Sequence, residues 1–212
     1  MLALIAALEA RTSRPPAPLA STAPPTVFSA ERAMVHVTAI AQRPHPIGSA
    51  DAARVRAYVL AELAGLGVPA EVQEATGVGT RYQAAGRVHN IVARLAGNTP
   101  GGPAVLLMAH TDGVPAGPAA SDNGSGTSVL LETLRALRAG PPLEHDVLAL
   151  FTDGEEAGLL GAAAFVREHR GATGAAATLH LHAPGTTGRA FLCRPGPGHP
   201  RPGRLLRPAP TA

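Results

Sequence analysis

The stretch AVLLMAHTD, residues 104–112, decides the fold of this chain. Its first six residues are a continuous apolar run without the alternation of a half-exposed strand, which is typical of a strand buried on both faces of a sheet. A second run of this kind, DVLALF, occupies residues 146–151. Because helix-like segments separate the β-like runs, the sequence predicts an α/β fold, a three-layer sandwich of helices around a mixed, mainly parallel sheet.

Capping residues and apolar spacing predict the other elements. Ser29 and Ser49 are candidate N-caps, since a serine hydroxyl can accept a hydrogen bond from a free N–H in the first helical turn. The predicted helices are 29–41, 49–63, 125–138 and 159–168. The predicted strands are 68–73, 89–95, 104–109, 146–151 and 175–181, with 77–86 as a loop.

The composition limits the kind of core, the nucleic-acid partners and the disulfides that this chain can have. Six aromatic residues, four Phe and two Tyr, rule out an aromatic core. The net charge of +3 comes from residues 171–212, which hold five Arg and no carboxylate, whereas residues 1–170 hold 13 Arg and all 15 acidic residues. We therefore take the basic charge as no sign of nucleic-acid binding and expect no nucleic-acid partner. The single cysteine, Cys193, excludes an intramolecular disulfide.

Three segments divide the chain. Residues 1–26 comprise an apolar start and a Pro-rich linker, residues 27–185 the folded part, and residues 186–212 a Pro/Arg-rich irregular tail. The apolar start is shorter than the roughly 20 residues that span a bilayer and lacks the basic residues of a signal peptide. It is either the end of a membrane helix or simply a short apolar start.

Three polar clusters interrupt this framework. HTD (residues 110–112) follows a buried strand, SDNGSG (121–126) precedes a helix, and DGEE (153–156) follows the second buried strand. Because ligands of open α/β sheets bind beyond the carboxyl ends of the strands, we expect the clusters to meet at one edge. Taken alone, the first cluster can be a hydrogen-bonded surface pair, the second a turn and the third a solvated loop. It is improbable that all three occur in this order, each at the end of a strand or the start of a helix, without a shared function.

Imidazole and carboxylate groups gathered at one edge are a typical ligand set for Zn²⁺. In an extended segment the side chains of His110 and Asp112 point the same way, so Asp112 is expected to accept the second ring N–H of His110. If their segment is extended, the adjacent Glu155 and Glu156 point in different directions. One can therefore bind a metal while the other acts as a general base.

Together the segments MAHTDGVP (108–115), GPAASDNGSG (117–126) and DGEEAGLLG (153–161) resemble metallopeptidase family twenty-eight, the co-catalytic di-zinc aminopeptidases. PHPIGS (44–49) and NIVARL (90–95) are similar to its membrane-anchored branch, the endoplasmic-reticulum and vacuolar type with bacterial relatives. The likeness covers about residues 28–170. The 12-residue step from His110 to Asp122 separates it from family twenty, whose corresponding Asp typically lies much further on.

The resemblance implies a role for each motif residue. His110 binds one zinc, Asp122 bridges two, and Glu156 binds the second. Glu155 is the general base and Asp112 supports His110. The implied reaction is hydrolysis of the N-terminal peptide bond of a peptide substrate with a free N-terminus, by water that the metal activates. A membrane-associated or extracytoplasmic location, with possible membrane anchorage in a full-length form, also follows from the resemblance.

The chain departs from that pattern after the third motif. In the membrane-anchored branch a Glu in the next strand completes the first zinc site, whereas HLHAPG (180–185) places His182 at this position. His182 is either a substitute ligand or no ligand. The family's last ligand is a later His, but here only His199 follows, in a Pro-rich tract, and we do not expect it to bind metal.

Two functions therefore remain open: a zinc aminopeptidase, or an inactive fragment or non-catalytic metal- or peptide-binding domain of the same fold. The resemblance implies a fold that is incomplete at the C-terminus, with this chain as roughly the first two thirds of a larger domain. For the tail, either a shifted reading frame or divergence into a basic segment would explain the missing acidic residues.

Overall fold

The computed structural model describes Met1 and residues 16–183, in which two helices and then three strands come before alternating helices and strands. The helices are α1 (Ala30–Ile40), α2 (Ala50–Gly65), α3 (Gly126–Ala139) and α4 (Leu160–Glu168). The strands are β1 (Ala70–Val78), β2 (Ala85–Leu95), β3 (Ala104–His110), β4 (Val147–Thr152) and β5 (Ala175–His180). A wide irregular turn, Ala120–Ser125, precedes α3, and a short 3-10 turn, Arg170–Ala172, precedes β5.

Two serine hydroxyls begin the first two helices. Ser29 Oγ accepts a hydrogen bond from the N–H of Arg32 at 3.2 Å, and Ser49 Oγ accepts one from the N–H of Ala52 at 3.0 Å. Each bond satisfies a first-turn donor that has no partner within its helix. Both predicted N-caps are confirmed.

The hairpin of β1 and β2 is longer than predicted. Gly77 pairs with Gly86 and Val78 with Ala85, so the ends of the expected loop 77–86 belong to the strands. Glycine is depleted in strands, which is why its presence predicted a loop. Here Gly77 has a packing role, because a Cβ at this position would lie 2.6 Å from the Cβ of Leu160 on α4.

The five strands form one mixed sheet in the order β1-β2-β4-β3-β5. β4, β3 and β5 are parallel neighbours, whereas β2 runs antiparallel to both β1 and β4. Four of the five strands therefore run in one direction, and the predicted mixed, mainly parallel sheet is confirmed.

Helices cover both faces of this sheet. Leu107 and its neighbours on one face pack with side chains of α2 and α3, including Leu63 and Leu130. Leu106 belongs to the cluster on the other face, which contains Phe165 of α4. Because consecutive residues of β3 are buried on opposite faces, the unbroken apolar run of this strand is explained. The three-layer prediction is confirmed.

The predictions for the two ends of the chain concern residues that lie mostly outside the described part of the structure. All described elements belong to one compact unit, Pro18–Thr186. The tail 186–212 with His199, and most of the apolar start, lie outside the described residues. Among the described residues, no helix is both long enough and apolar enough to cross a bilayer.

Candidate metal centre

The carboxyl ends of three parallel strands bring the polar clusters together. His110 ends β3 and lies opposite Thr152, the last residue of β4. His180 ends β5 and lies opposite Met108 of β3. The segments that follow these strands therefore start from the same edge of the sheet, as the sequence predicts.

Three side chains at this edge form a group that can hold a metal ion. Asp122 Oδ1 lies 3.0 Å from His110 Nε2 and 3.0 Å from His182 Nε2. All three atoms lie within 4.8 Å of one another. The His110 side chain is fully buried, whereas about a third of each of the other two side chains is exposed, at 37% and 34%. The group is thus open to solvent on one side.

The hydrogen bonding of His110 explains why a cation fits there. Its Nδ1 lies 3.0 Å from the carbonyl oxygen of Asp112. Since a carbonyl only accepts, Nδ1 carries a proton, and the second ring nitrogen, Nε2, lies 3.0 Å from Asp122 Oδ1. Either a proton on Nε2 or a metal ion bound between the two atoms supplies the positive charge that the Asp122 carboxylate favours. Zinc, which binds His nitrogen and carboxylate oxygen at about 2.0–2.2 Å, fits this donor set.

The ring of His110 is oriented by a different atom than expected. The distance from Nδ1 to the carboxylate Oδ1 of Asp112 is 3.6 Å, too long for a hydrogen bond. The acceptor is the backbone carbonyl of Asp112, and the expectation that its carboxylate takes this bond is wrong. The reason is that the carboxylate has other donors.

Those donors belong to the loop after β4. Asp112 Oδ1 accepts a hydrogen bond from the N–H of Glu155 at 2.9 Å, and Oδ2 accepts one from the N–H of Glu156 at 3.1 Å. Asp112 is 1% exposed, so water competes little for these bonds. Asp112 therefore fixes the backbone of both glutamates next to the three-residue group.

Negative charge dominates the electrostatics of this edge. Burial lowers the pKa of His110, but the carboxylates of Asp112 and Glu155 outweigh it and raise that pKa to about 9. Burial, followed by the charge of Asp122, raises the pKa of the Glu156 carboxyl. Neighbouring carboxylates thus contribute to both shifts, although burial is the larger cause at Glu156.

Glu155 and Glu156 lie outside the three-residue group. Within residues 16–183, His110, Asp122 and His182 are the only set of three or more potential ligands with this close spacing. The structure thus brings together three of the four predicted metal ligands. It places Glu156 within electrostatic reach of Asp122 but not in the same group.

The side chain of Asn123 has a structural role that the sequence did not reveal. The Asp122–Asn123 peptide bond is cis. Asn123 Oδ1 accepts a hydrogen bond from the N–H of Gly126 at the start of α3, and Nδ2 donates to the carbonyl of Leu181 at 2.8 Å. Because Leu181 is 58 residues away along the chain, no local pattern predicts this bond.

Comparisons with known proteins agree with this fold. Residues 90–206 match peptidase family M28. The chain is 45% identical over 62 residues to aminopeptidase YwaD of Bacillus subtilis, covering 29% of the chain and 13% of that protein. It is 31% identical over 174 residues to a vacuolar membrane protease of Yarrowia lipolytica, covering 69% of the chain and 18% of that protein.

Solved structures with a similar fold include glutaminyl cyclases and zinc aminopeptidases. A glutaminyl cyclase of Porphyromonas gingivalis is 26% identical with a TM-score of 0.64, over 74% of this chain and 59% of that one. A zinc aminopeptidase of Bacillus subtilis has a TM-score of 0.65 at 16% identity, over 76% of this chain and 70% of that one. The aminopeptidase and the vacuolar protease described above are much longer proteins, and this chain covers less than a fifth of the length of each.

Proposed function

Because the chain belongs to peptidase family M28, we propose that it is a zinc-dependent aminopeptidase, which hydrolyses the N-terminal peptide bond of a peptide with a free N-terminus. One observation carries the proposal. The His110–Asp122–His182 group lies at the strand edge where the Asp112 carboxylate also fixes the backbone of Glu155.

His110, Asp122 and His182 would hold the zinc ion. Three protein ligands with one side open to solvent are the arrangement of catalytic rather than structural zinc sites. Bound zinc supplies Lewis acidity, which lowers the pKa of a water molecule and polarises the substrate carbonyl. Asp112 supports this group through its carbonyl, which keeps the proton of His110 on Nδ1 and leaves Nε2 free to bind metal.

Glu155 would act as the general base. Its carboxylate takes a proton from the attacking water as the new C–O bond forms, and it delivers that proton to the leaving amine as the C–N bond breaks. The two hydrogen bonds to Asp112 hold the loop that carries this carboxylate. The negative charge of Glu156 and Asp122 would attract the ammonium group of the substrate's free N-terminus.

Two other functions compete with peptide hydrolysis. The likeness to a glutaminyl cyclase at 26% identity favours cyclisation of an N-terminal glutamine, which releases ammonia and cleaves no peptide bond. The second is a non-catalytic metal- or peptide-binding domain, favoured by the position of Glu155 and Glu156 outside the three-residue group.

The test uses the zinc-loaded chain with aminoacyl-anilides, their N-acetylated counterparts and a glutaminyl peptide. We expect release of the anilide only from free N-termini, and about a 100- to 10,000-fold loss of turnover in Glu155→Gln with zinc still bound. Glu144→Gln, a change at a carboxylate that is 83% exposed, is the matched control. Ammonia release from the glutaminyl peptide alone would indicate a cyclase, and no reaction with any substrate would favour the binding domain.

A further inference from the structure

The segment that carries His182 is fixed on its N-terminal side. The N–H of Leu181 donates to the carbonyl of Met108 at 2.8 Å, which extends the pairing of β5 with β3 by one residue. The carbonyl of Leu181 accepts a hydrogen bond from Nδ2 of Asn123 at 2.8 Å. Both backbone polar groups of the residue before His182 are therefore paired.

The segment is also tied on its C-terminal side. Ser121 Oγ donates a hydrogen bond to the carbonyl of Ala183 at 3.2 Å. Asp122 follows Ser121 directly, so the turn that supplies the carboxylate of the site also holds the residue after His182. Bonds on both sides of His182 build this residue into the site and set the 3.0 Å contact between its Nε2 and Asp122.

The His182 ring is packed against two other imidazoles. It stacks on His180 with a centroid distance of 5.3 Å and an interplanar angle of 8°. It meets His110 at 5.5 Å and 57°. Stacking on His180 restricts rotation of the His182 ring and keeps its Nε2 directed at Asp122.

The ligands of this edge suffice for one cation. His110, Asp122 and His182 give two imidazoles and one carboxylate, and no second group of three such ligands occurs in residues 16–183. A second ion would have to share Asp122 with Glu156, which gives fewer than three ligands from the described part of the chain.

We infer that His110, Asp122 and His182 form a centre for a single divalent cation, and that His180 positions the ring of the third ligand, His182. The inference rests on the proposed metal chemistry but not on peptide hydrolysis. Metal stoichiometry and spectra test it even in a chain without peptidase activity.

The first experiment titrates the metal-free chain with Co²⁺ and follows its visible absorption. We expect the absorption to reach its end point at one equivalent. The paramagnetic resonance spectrum of the Cu²⁺ form should show hyperfine coupling to two imidazole nitrogens. An end point at two equivalents, or coupling to a single nitrogen, would overturn the inference, and neither measurement needs a variant.

The second experiment compares variants in the same titration. His182→Gln should weaken Co²⁺ binding at least 10-fold, because it removes one of three ligands. His169→Gln is the control, since His169 pairs with Glu71 and is not part of the metal group, and it should bind Co²⁺ as the wild type does. Equal binding by His182→Gln and the wild type would contradict the inference.

Variants of His180 separate a positioning residue from a ligand. His180→Phe keeps an aromatic ring for stacking and should bind Co²⁺ within about threefold of the wild type. His180→Ala loses the stacking, and we expect about a 10-fold loss with a changed Co²⁺ spectrum, at the lower end of the range for residues that orient ligands. A loss in His180→Phe as large as in His182→Gln would identify His180 as a ligand and overturn its positioning role.

Discussion

Oδ1 of Asp112 accepts a hydrogen bond from the backbone N–H of Glu155 at 2.9 Å. The other oxygen of this carboxylate accepts the N–H of Glu156 at 3.1 Å, so one buried group holds two consecutive residues of the loop after β4. The carbonyl of the same residue accepts the ring N–H of His110. Asp112 thus serves the metal ligand through its backbone and the proposed base through its side chain.

Because Asp112 has these two separate roles, Asp112→Asn should lower turnover more than it lowers metal affinity. The amide keeps one acceptor, but its NH₂ group faces a backbone N–H that it cannot satisfy, so the loop with Glu155 should shift. We expect about a 10- to 100-fold loss in turnover. Co²⁺ affinity should fall much less, because the carbonyl that orients His110 remains. An affinity loss as large as the loss in turnover would contradict the assignment of the two roles.

A second buried carboxylate, Glu132, stabilises the fold away from the site. Its Oε1 accepts hydrogen bonds from the N–H of Ser29 at 2.8 Å and from Nε of Arg32 at 3.0 Å. Its Oε2 accepts one from Nε of Arg135 at 2.6 Å, and its side chain is 0% exposed. Glu132 thus joins α3 to the start of α1.

Glu132→Ala should therefore destabilise the protein. It leaves two guanidinium groups without their shared carboxylate, and breaking a buried ion pair typically costs about 3–5 kcal/mol. Because both arginines are about a fifth exposed, we expect the lower part of this range in the free energy of unfolding, measured with urea. Glu144→Ala at an exposed position should change it by less than about 0.5 kcal/mol. Equal midpoints for the two variants would refute this role.

Gly126 couples the start of α3 to the segment that carries His182. A Cβ at this position would meet Asn123 Oδ1 and lie 2.7 Å from the carbonyl of Leu181. Gly126→Ala should displace both groups, lower the free energy of unfolding by about 1–3 kcal/mol and weaken Co²⁺ binding. Gly65→Ala is the control, because its Cβ would have no neighbour within 4 Å. Unchanged metal affinity in Gly126→Ala would show that the coupling is absent.

The sequence predicts those features whose causes are local. Ser29 and Ser49 cap helices because a hydroxyl three residues before a free N–H can reach it. The position of His182 has a different cause, since it depends on β5 pairing with β3 and on the Asn123 amide. The acceptor for the His110 ring likewise depends on how the backbone turns after β3. Neither relation leaves a pattern in the sequence.

His36 makes the stability of the fold depend on pH. Its Nδ1 lies 2.7 Å from the hydroxyl of Tyr58, and its side chain is 14% exposed. Burial lowers the pKa of His36, with partial compensation by the negative charges of Glu62 and Glu132. The unfolded chain, where this pKa is about 6.5, therefore takes up the proton more readily than the folded protein.

The sign of the pH effect follows from this difference. Where the unfolded state binds more protons, stability rises with pH. The contribution of neutral His36 is fully present above pH of about 6.5 and decreases as the pH falls toward the lower pKa of the folded state. We expect the urea midpoint of the wild type to fall more steeply between pH 8 and pH 5.5 than that of His36→Gln, which has no titrating ring. Parallel curves for the two proteins would show that this histidine does not contribute to the acid sensitivity of the fold.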